Sequence, residues 1–440
     1  MKSILATVLL ALVATRLFAT AESPPPPSAG LTLEDCLELS AANHPALAAA
    51  QAGVAGATEA VGEARAPYYP QVDLLAGYHR WQRRAFLPDG LVIPGRGAPE
   101  LIGPTDDWNG GLSSRVTLYD SGERRAGLDA AKARRAGAEA EAAATLADVR
   151  LATQAAFFSL AAARDLAAVA TQNLARAESH QRLAEARRSA GAVPQADVLR
   201  AQAEVANARL QLISTRSRVQ VASGRLNTVM GRAAETPLAI DATPSAPPPP
   251  DRTELAAASE RALARRPELQ AGEQRATASR AAVAAARASR APRLRADGSF
   301  GWRDNAWLPN TREWQAGLSI DLPVFDAGSR ARRVARTRAE LTREEAVLEG
   351  RRLQVREEVW SAASELDRAW VSIAANEASV RASAEGLRAV QERYASGAAV
   401  VTDLLDTQTA LARAEAALAG ARWDYLTARA GFDRATGTAP

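Results

Sequence analysis

The sequence contains few cysteine, histidine and aromatic residues, and these few are scattered along the chain. Cys36 is the single cysteine among 440 residues, so the chain cannot form an internal disulfide. The three histidines, His44, His79 and His180, lack the spacing of metal ligands, and the sequence contains no Ser/His/Asp arrangement or phosphate-binding loop. We therefore expect no catalytic residues, no metal site and no cofactor, and an enzyme is not predicted.

Apolar content is also low, with a mean hydropathy of −0.19. Beyond the N-terminus no apolar run approaches the roughly 18 residues of a membrane-spanning helix, which excludes a multispan helical membrane protein. Basic and acidic residues nearly balance, at 54 and 50, and no basic block stands apart, so nucleic acid is not an expected partner. Nearly a quarter of the residues are alanine, which favours long, closely packed helices.

Residues 1–21 have the features of a secretory signal peptide. Lys2 provides the positive start, residues 4–14 form an apolar core, and residues 19–21 give an A-x-A cleavage site. An apolar core of this length is too short to span a bilayer, so a permanent membrane anchor is the weaker alternative. Export is therefore predicted. Cys36 lies well past the cleavage site, and we expect it to be a small buried helix residue.

The chain contains an internal duplication. The segment NHPAL at 43–47 matches RRPEL at 265–269, and LYDSG at 118–122 matches VFDAG at 324–328. The offset is 222 residues at the first pair and 206 at the second, and 206 then holds for over 100 residues. Proline-rich stretches at 22–30 and 244–252 are typical of linkers. They delimit repeat 1, residues 31–243, and repeat 2, residues 253–440.

Each repeat is predicted to begin with a helix and two strands. The helix has about 30 residues and is broken near its middle by Pro45 or Pro267. Alternation of apolar and polar residues predicts strands at about 71–83 and 108–119 in repeat 1, and at about 293–303 and 313–322 in repeat 2. Each strand has about ten residues, the length that crosses a bilayer at a tilt.

Long helices are predicted to follow the strands. They lie at about 122–189 and about 328–395, and each would be about 100 Å long. Small and apolar residues recur in them every 3.5 positions, as in a coiled coil. Return helices are predicted at about 194–230 and about 402–436. Four strands cannot close a membrane barrel and an open sheet edge in lipid is prohibitive, so several chains must share one barrel.

The order of these elements resembles the TolC-like outer-membrane efflux protein family. The resemblance rests on LTLE at 31–34, NHPAL at 43–47, PQVDL at 70–74, LSIDLPVFDAG at 318–328, and RYASG at 393–397 followed by DLLDTQ at 403–408. It covers nearly all of residues 31–440. It implies a mainly α fold with a transmembrane β part, in which the tandem repeats of three chains form a 12-stranded β-barrel continued by a long α-helical coiled-coil barrel.

The same resemblance implies the function and the partners. The homotrimer would be the exit channel of a tripartite efflux or type I secretion system, seated in outer-membrane lipid with a long periplasmic extension. It would passively conduct substrates from an inner-membrane efflux pump or ABC transporter, through a periplasmic adaptor protein. From their own residues, 85–107 are predicted to form an extracellular loop, since they are rich in proline and glycine. The polar strand faces could line a water-filled barrel or face bulk water on a soluble sheet, and Trp302 and Trp314 favour the barrel, as interfacial aromatics do.

Two alternatives are a periplasmic adaptor and a structural coiled-coil protein. An adaptor would carry one helical hairpin inserted between strand-rich halves, whereas here strands precede each of two hairpins. A structural coiled coil would need neither alternating strands nor a signal peptide. Both alternatives therefore fit the sequence less well than a channel.

The turn between each long helix and its return helix is predicted to contact the adaptor. Both keep the pattern G-x5-D, ending at Asp197 and Asp403. The resemblance implies docking of the adaptor's hairpins at these turns, and the expected contacts are Gly191, Ala192, Val193, Gly397, Ala398 and Ala399. The alternative explanation is that glycine simply permits the chain reversal.

Acidic residues beside these turns are predicted to form the periplasmic gate. Asp403 and Asp406 are three residues apart and share a helix face, so three-fold symmetry would place six carboxylates around the axis, with Asp197 near the same level. Such carboxylates attract cations.

The resemblance implies a gate here that includes Tyr394, which matches a tyrosine that links neighbouring coils in the family. Ala399 stands where some relatives carry an arginine that locks the gate. A helix also favours acidic residues in its first turn, which explains Asp197 and Asp403 better than Asp406.

Overall fold

The computed structural model of the chain describes residues 30–81, 106–242, 249 and 252–438. The predicted signal peptide at 1–21, nearly all of both proline-rich stretches and residues 85–105 of the predicted extracellular loop lie outside these residues. Within the described residues, no helix combines the length and the hydropathy that a membrane span requires.

In the described residues the two repeats form the same series of helices and strands. Repeat 1 contains α1 (Leu33–Asn43), α2 (Pro45–Arg65), a short 3-10 turn (Ala66–Tyr68), β1 (Gln71–Arg80), β2 (Asp106–Tyr119), α3 (Glu123–Ser189) and α4 (Gln195–Val229). Repeat 2 contains α5 (Arg252–Arg265), α6 (Pro267–Ala288), β3 (Arg293–Asp304), β4 (Arg312–Asp321), α7 (Ser329–Ala395) and α8 (Val401–Thr436).

Prolines divide the N-terminal helix of each repeat in two. Pro45 and Pro267 are the first residues of α2 and α6, and the residues before them, His44 and Arg266, have extended backbone angles. A proline ring disfavours helical angles in the preceding residue, whereas proline suits the first turn of a new helix. The predicted helix break is thus present at both prolines.

The four strands form one antiparallel sheet in the order β1-β2-β3-β4. A single row of paired residues crosses it, since Leu74 pairs with Leu112, Leu112 with Phe300, and Phe300 with Trp314. Alternate residues of a strand point to opposite faces, so this row belongs to one apolar face, and most residues of the other face are polar. The apolar face is largely exposed in the single chain, and β1 and β4 are the edge strands.

The inner ends of the first two strands differ from the prediction. β1 ends at Arg80 and not near 83, and β2 begins at Asp106 and not at 108, so the last two residues of the predicted loop at 85–107 belong to the sheet. Asp106 pairs with Arg80, and their side chains form a 3.3 Å ion pair. Asp107 is 1% exposed, and Arg303 of β3 donates to its carboxylate at 2.6 and 2.7 Å. Acidic residues are rare in strands, and here cross-strand arginines hold them in the sheet.

The long helices α3 and α7 have 67 residues each and begin from matching turns. Gly122 and Gly328 precede them with φ angles of 91° and 81°, which glycine adopts without strain. The carboxylates of Asp120 and Asp326 accept hydrogen bonds from the N–H groups of these glycines, at 3.1 and 3.0 Å. The D-x-G pattern therefore forms the turn before each of the two long helices.

Away from the sheet, the lower halves of α3 and α7 form one layer with the return helices, in the order α4, α3, α8, α7. We call this the lower helix layer. Most buried residues of α3 are alanine, which lets neighbouring helices approach closely. Larger side chains concentrate near the middle, where Phe157, Leu160, Leu226 and Trp423 pack with Cys36. The expectation that Cys36 is a buried helix residue is confirmed, as is the fold class, mainly α with a small β part.

Candidate functional site at the helical tip

Each long helix and its return helix, α3 with α4 and α7 with α8, form a hairpin that reverses at the end farthest from the sheet. We call the two turns, 190–194 and 396–400, the tip. The first turn is closed by hydrogen bonds from the N–H of Gly191 to the carbonyl of Arg188 (2.9 Å) and from Ala192 to Arg187 (2.8 Å). The second turn has the same two bonds, and its Gly397 has φ 82°, as Gly191 has φ 70°. Both glycines are therefore required by the chain reversal.

The predicted adaptor contacts form a small, open surface at the tip. Gly191, Ala192, Gly397 and Ala398 are exposed, whereas Val193 and Ala399 are half-buried. A side chain added at either glycine would meet open space, although it would be strained by the positive φ angle. The surface is thus free of bulky side chains at its apex.

The three predicted gate carboxylates do not share one environment. Asp403 and Asp406 are both exposed and lie on the first two turns of α8. Neither has an ion pair among the described residues. Asp197 lies in the first turn of α4, half-buried, with its carboxylate 3.6 Å from the guanidinium of Arg200. Asp403 and Asp406 are therefore both exposed and without an ion pair among the described residues, whereas Asp197 is paired with Arg200.

Tyr394 is a large buried side chain in the last turn of α7, beside the tip. It is 5% exposed and packs against Leu387, Val401 and Leu404. Its hydroxyl is buried and has no hydrogen-bond partner in the described part of the chain. The hydroxyl therefore makes no link between coils within the single chain.

Sequence reasoning missed Arg187, which joins the two hairpins at the tip. Its guanidinium donates to the backbone carbonyls of Tyr394 and Ala395, both at 2.8 Å, and lies 4.5 Å from the centroid of the Tyr394 ring. The offset of 206 pairs Arg187 with Arg393, so an arginine near the end of both long helices was the available signal. The contact itself joins residues 207 and 208 positions apart, which no local pattern reveals.

A second charged group, which we call the mid-helix ion cluster, consists of Asp148, Arg266, Glu268, Glu358 and Arg434. It lies where α8 ends beside the start of α6. Arg434 donates to Asp148 at 2.9 Å and to Glu268, which also accepts from Arg266 at 3.2 Å, and Arg266 binds Glu358. Burial raises the pKa of Glu268, but the hydrogen bond from Arg434 and the nearby guanidinium charges outweigh it and lower the pKa to about 2. No pattern in the sequence predicts this cluster.

Comparison with known proteins finds a family model, a relative and solved structures that match most of the chain. The model of the outer membrane efflux protein family matches residues 36–232 and 258–438. The chain is 30% identical over 403 residues to protein CyaE of Bordetella pertussis, covering 88% of this chain and 80% of that protein. Its structure matches the outer-membrane channel OprN with a TM-score of 0.80 and 25% identity, over 92% of this chain and 90% of that chain.

A further structural match is VceC, an outer membrane protein from Vibrio cholerae. The TM-score is 0.78 at 20% identity, over 92% of this chain and 96% of that chain, which is a likeness of fold alone. Together these matches define the class as outer-membrane channels with long helical extensions, which are not enzymes. The chain belongs to the outer membrane efflux protein family.

Membership confirms the predicted function and location. The protein is an outer-membrane exit channel of a tripartite efflux or secretion system, with a long helical part in the periplasm. The comparisons give no support to the alternatives of a periplasmic adaptor or a structural coiled coil.

Proposed function

We propose that three copies of the chain form one continuous duct, with a barrel of 12 strands above a tunnel of helices. The observation that carries this proposal is that both layers of the single chain end in edges lined by exposed apolar side chains. The sheet ends at β1 and β4, and the lower helix layer ends at α4 and α7. Joining the edge at β4 and α7 of one copy to the edge at β1 and α4 of the next, around a three-fold axis, leaves no edge exposed to lipid or water.

In the sheet, β4 of one copy would pair with β1 of the next. Every residue of β4 is exposed in the single chain, including Trp314, Leu318 and Ile320 of the apolar face. That face would contact lipid, and the polar face would line a water-filled channel. Trp302 and Trp314 would lie near the boundary of the bilayer, where aromatic residues are favoured.

In the helix layer, α4 of one copy would pack on α7 of the next. Besides the side buried against α3, α4 has a second apolar stripe with Leu210, Ile213 and Val221, which is exposed in the single chain. On α7 the exposed apolar residues include Trp360, which is 77% exposed, and Val371. Two apolar seams on one helix are expected when it packs on a helix at each side.

The proposed assembly predicts that Trp360→Glu abolishes both trimers and conductance. A charge buried at the α4–α7 contact would be unpaired, whereas the exposed position of Trp360 leaves the fold of the single chain unaffected. The wild type and the matched variant Trp360→Phe should fractionate with the outer membrane, run as trimers in native gels and give cation-selective currents in planar bilayers. A conducting, trimeric Trp360→Glu variant would contradict this packing, and a wild type without conductance would contradict the channel.

The partners of this duct would be a periplasmic adaptor and, through it, an inner-membrane pump or ABC transporter. The tip is the end of the channel that faces them, and its exposed surface of small side chains lets another helical hairpin approach the backbone closely. We propose that the adaptor contacts Gly191, Ala192 and Val193 in one turn and Gly397, Ala398 and Ala399 in the other.

Adaptor docking can be separated from channel formation by changing the two exposed alanines of the tip. The double variant Ala192→Glu with Ala398→Glu should lose chemical cross-linking to the adaptor and lose export, because a bulky charge fills the space that the docking helix needs. Trimer formation and conductance in bilayers should be retained. The matched variant Ala192→Ser with Ala398→Ser should behave as wild type, and full cross-linking of the glutamate variant would contradict docking at these residues.

We propose further that Asp403 and Asp406 form the periplasmic gate, with Tyr394 and Asp197 beside them. In the trimer, the six exposed carboxylates of Asp403 and Asp406 would converge at the end of the tunnel and concentrate cations there. Tyr394 would support the gate through its buried ring. Asp197, already paired with Arg200, would contribute less charge.

A further inference from the structure

We propose that Arg187 tethers the hairpin of repeat 2 to the hairpin of repeat 1, and that this tether sets the position of the carboxylates of Asp403 and Asp406. The inference deepens the proposed gate and rests on it for its functional meaning. Arg187 is thus a positioning residue, which acts on the entrance through another part of the chain.

The contact has the chemistry of a helix cap supplied from another helix. The carbonyls of Tyr394 and Ala395 lie at the C-terminal end of α7, where backbone oxygens carry the negative end of the helix dipole. The Arg187 guanidinium donates to both at 2.8 Å and lies 4.5 Å from the centroid of the Tyr394 ring. Two charge-assisted hydrogen bonds and a cation–π contact therefore join one side chain to one helix end.

The position of this contact in the fold makes it a link between the repeats. Arg187 is in the last turn of α3, which packs on α4 and α8, whereas α7 packs on α8 in this half of the molecule. Arg187 therefore reaches from one hairpin to the far helix of the other. From Ala395 only five residues lead to α8, whose first two turns carry Asp403 and Asp406. The Tyr394 ring is also buried against Val401 and Leu404, which flank Asp403 on α8.

The repeat symmetry indicates that this link is specific. Arg393, which corresponds to Arg187 in repeat 2, donates instead to the carbonyl of Ala398 in its own turn, at 3.3 Å. The residue that corresponds to Tyr394 in repeat 1 is Arg188, which is exposed. Only one of the two related arginines therefore has an aromatic ring and a foreign helix end to bind. In a trimer the tether would occur three times.

The test compares Arg187→Ala with Arg188→Ala, which removes the same charge from the adjacent, exposed position. Spin labels on cysteines placed at Ala192 and Ala398 report the separation of the two turns in the trimer. Cys36 can remain, because it is buried and burial raises the pKa of its thiol to about 11, which makes labelling slow. Single-channel recording, with and without a multivalent cation, reports the gate.

We expect Arg187→Ala to broaden and lengthen the distance distribution and to raise the ratio of open to closed time by about tenfold or more. Arg187→Lys, which keeps the charge but not the planar fork, should give intermediate values for both readouts. Arg188→Ala should match wild type. The thermal midpoint of all three variants should stay near that of wild type, since the tether joins only the ends of the hairpins.

Unchanged distances in Arg187→Ala overturn the tether, as does an equal change in Arg188→Ala. The gate has a separate test in the combined loss of Asp403 and Asp406. If that loss leaves conduction unchanged while Arg187→Ala still lengthens the distance, the tether stands and the gate fails. If the carboxylate variant changes conduction and Arg187→Ala changes nothing, the gate stands and the tether fails.

Discussion

Replacing Asp403 and Asp406 together by alanine should raise the conductance of the closed channel and weaken its block by multivalent cations by at least about tenfold. The two carboxylates are exposed on one face of α8 and have no ion pair among the described residues. In the proposed trimer six of them would repel each other and hold a cation between them. Their removal leaves a neutral, wider entrance, which single-channel recording at several cation concentrations would detect.

The replacement of both residues by asparagine separates charge from size. It should abolish the block but raise the conductance less than alanine does, because the side chains still occupy the entrance. Asp424→Asn is the matched control, since Asp424 is exposed on the same helix about 27 Å farther from the tip, beyond the range of unscreened charge. Currents and block like those of wild type in the double alanine variant would remove Asp403 and Asp406 from the gate.

Replacing Arg434 by methionine should destabilise the folded chain by about 3–5 kcal/mol. Arg434 is the centre of the mid-helix ion cluster, with its side chain 7% exposed and bonded to both Asp148 and Glu268. Without the guanidinium, the half-buried carboxylate of Glu268 loses the closer of its two arginine partners and keeps only Arg266. The midpoint of urea unfolding of the detergent-solubilised protein, followed by circular dichroism, should fall accordingly.

Arg429→Met is the control, because its ion pair with Asp433 on the same helix is about one-third exposed and should contribute less than about 1 kcal/mol. The effect of Arg434→Met should also depend on pH. The folded-state pKa of Glu268 is about 2, below its usual value, so its contribution to stability is present above about pH 4 and is lost as the pH falls towards 2. The difference between wild type and Arg434→Met should therefore shrink over this range. Equal losses in the two methionine variants at neutral pH would contradict the role of the cluster.

The regular parts of the molecule could be predicted because their information is local. That Leu74, Phe300 and Trp314 lie on the apolar face of the sheet follows from alternation in each strand, because a one-residue shift would turn every side chain to the other face. Glycines before and after the long helices follow from backbone angles that other residues avoid. These patterns predict a strand or a turn without information about which helices and strands are in contact.

The missed features depend on contacts between distant parts of the chain. Arg187 caps a helix end more than 200 residues away, and Arg434 meets Glu268 only because α8 ends beside the start of α6. Asp107 belongs to a strand because Arg303 of another repeat binds its carboxylate. An arginine or an aspartate has the same local signal in solvent as in a buried pair, so its partner cannot be read from the sequence around it.

The equal lengths of α3 and α7 also constrain how such a chain can evolve. A heptad inserted into one hairpin alone would place the two turns at different heights, and both the contact of Arg187 and the proposed docking of an adaptor would be lost. The duct can therefore become longer or shorter only by paired changes in both repeats. The connections between the two strands of each repeat need not match in length, since repeat 1 has 16 residues more than repeat 2 between the positions where the two offsets apply. Variation in length is therefore tolerated between the strands and coupled between the two turns of the helical tip.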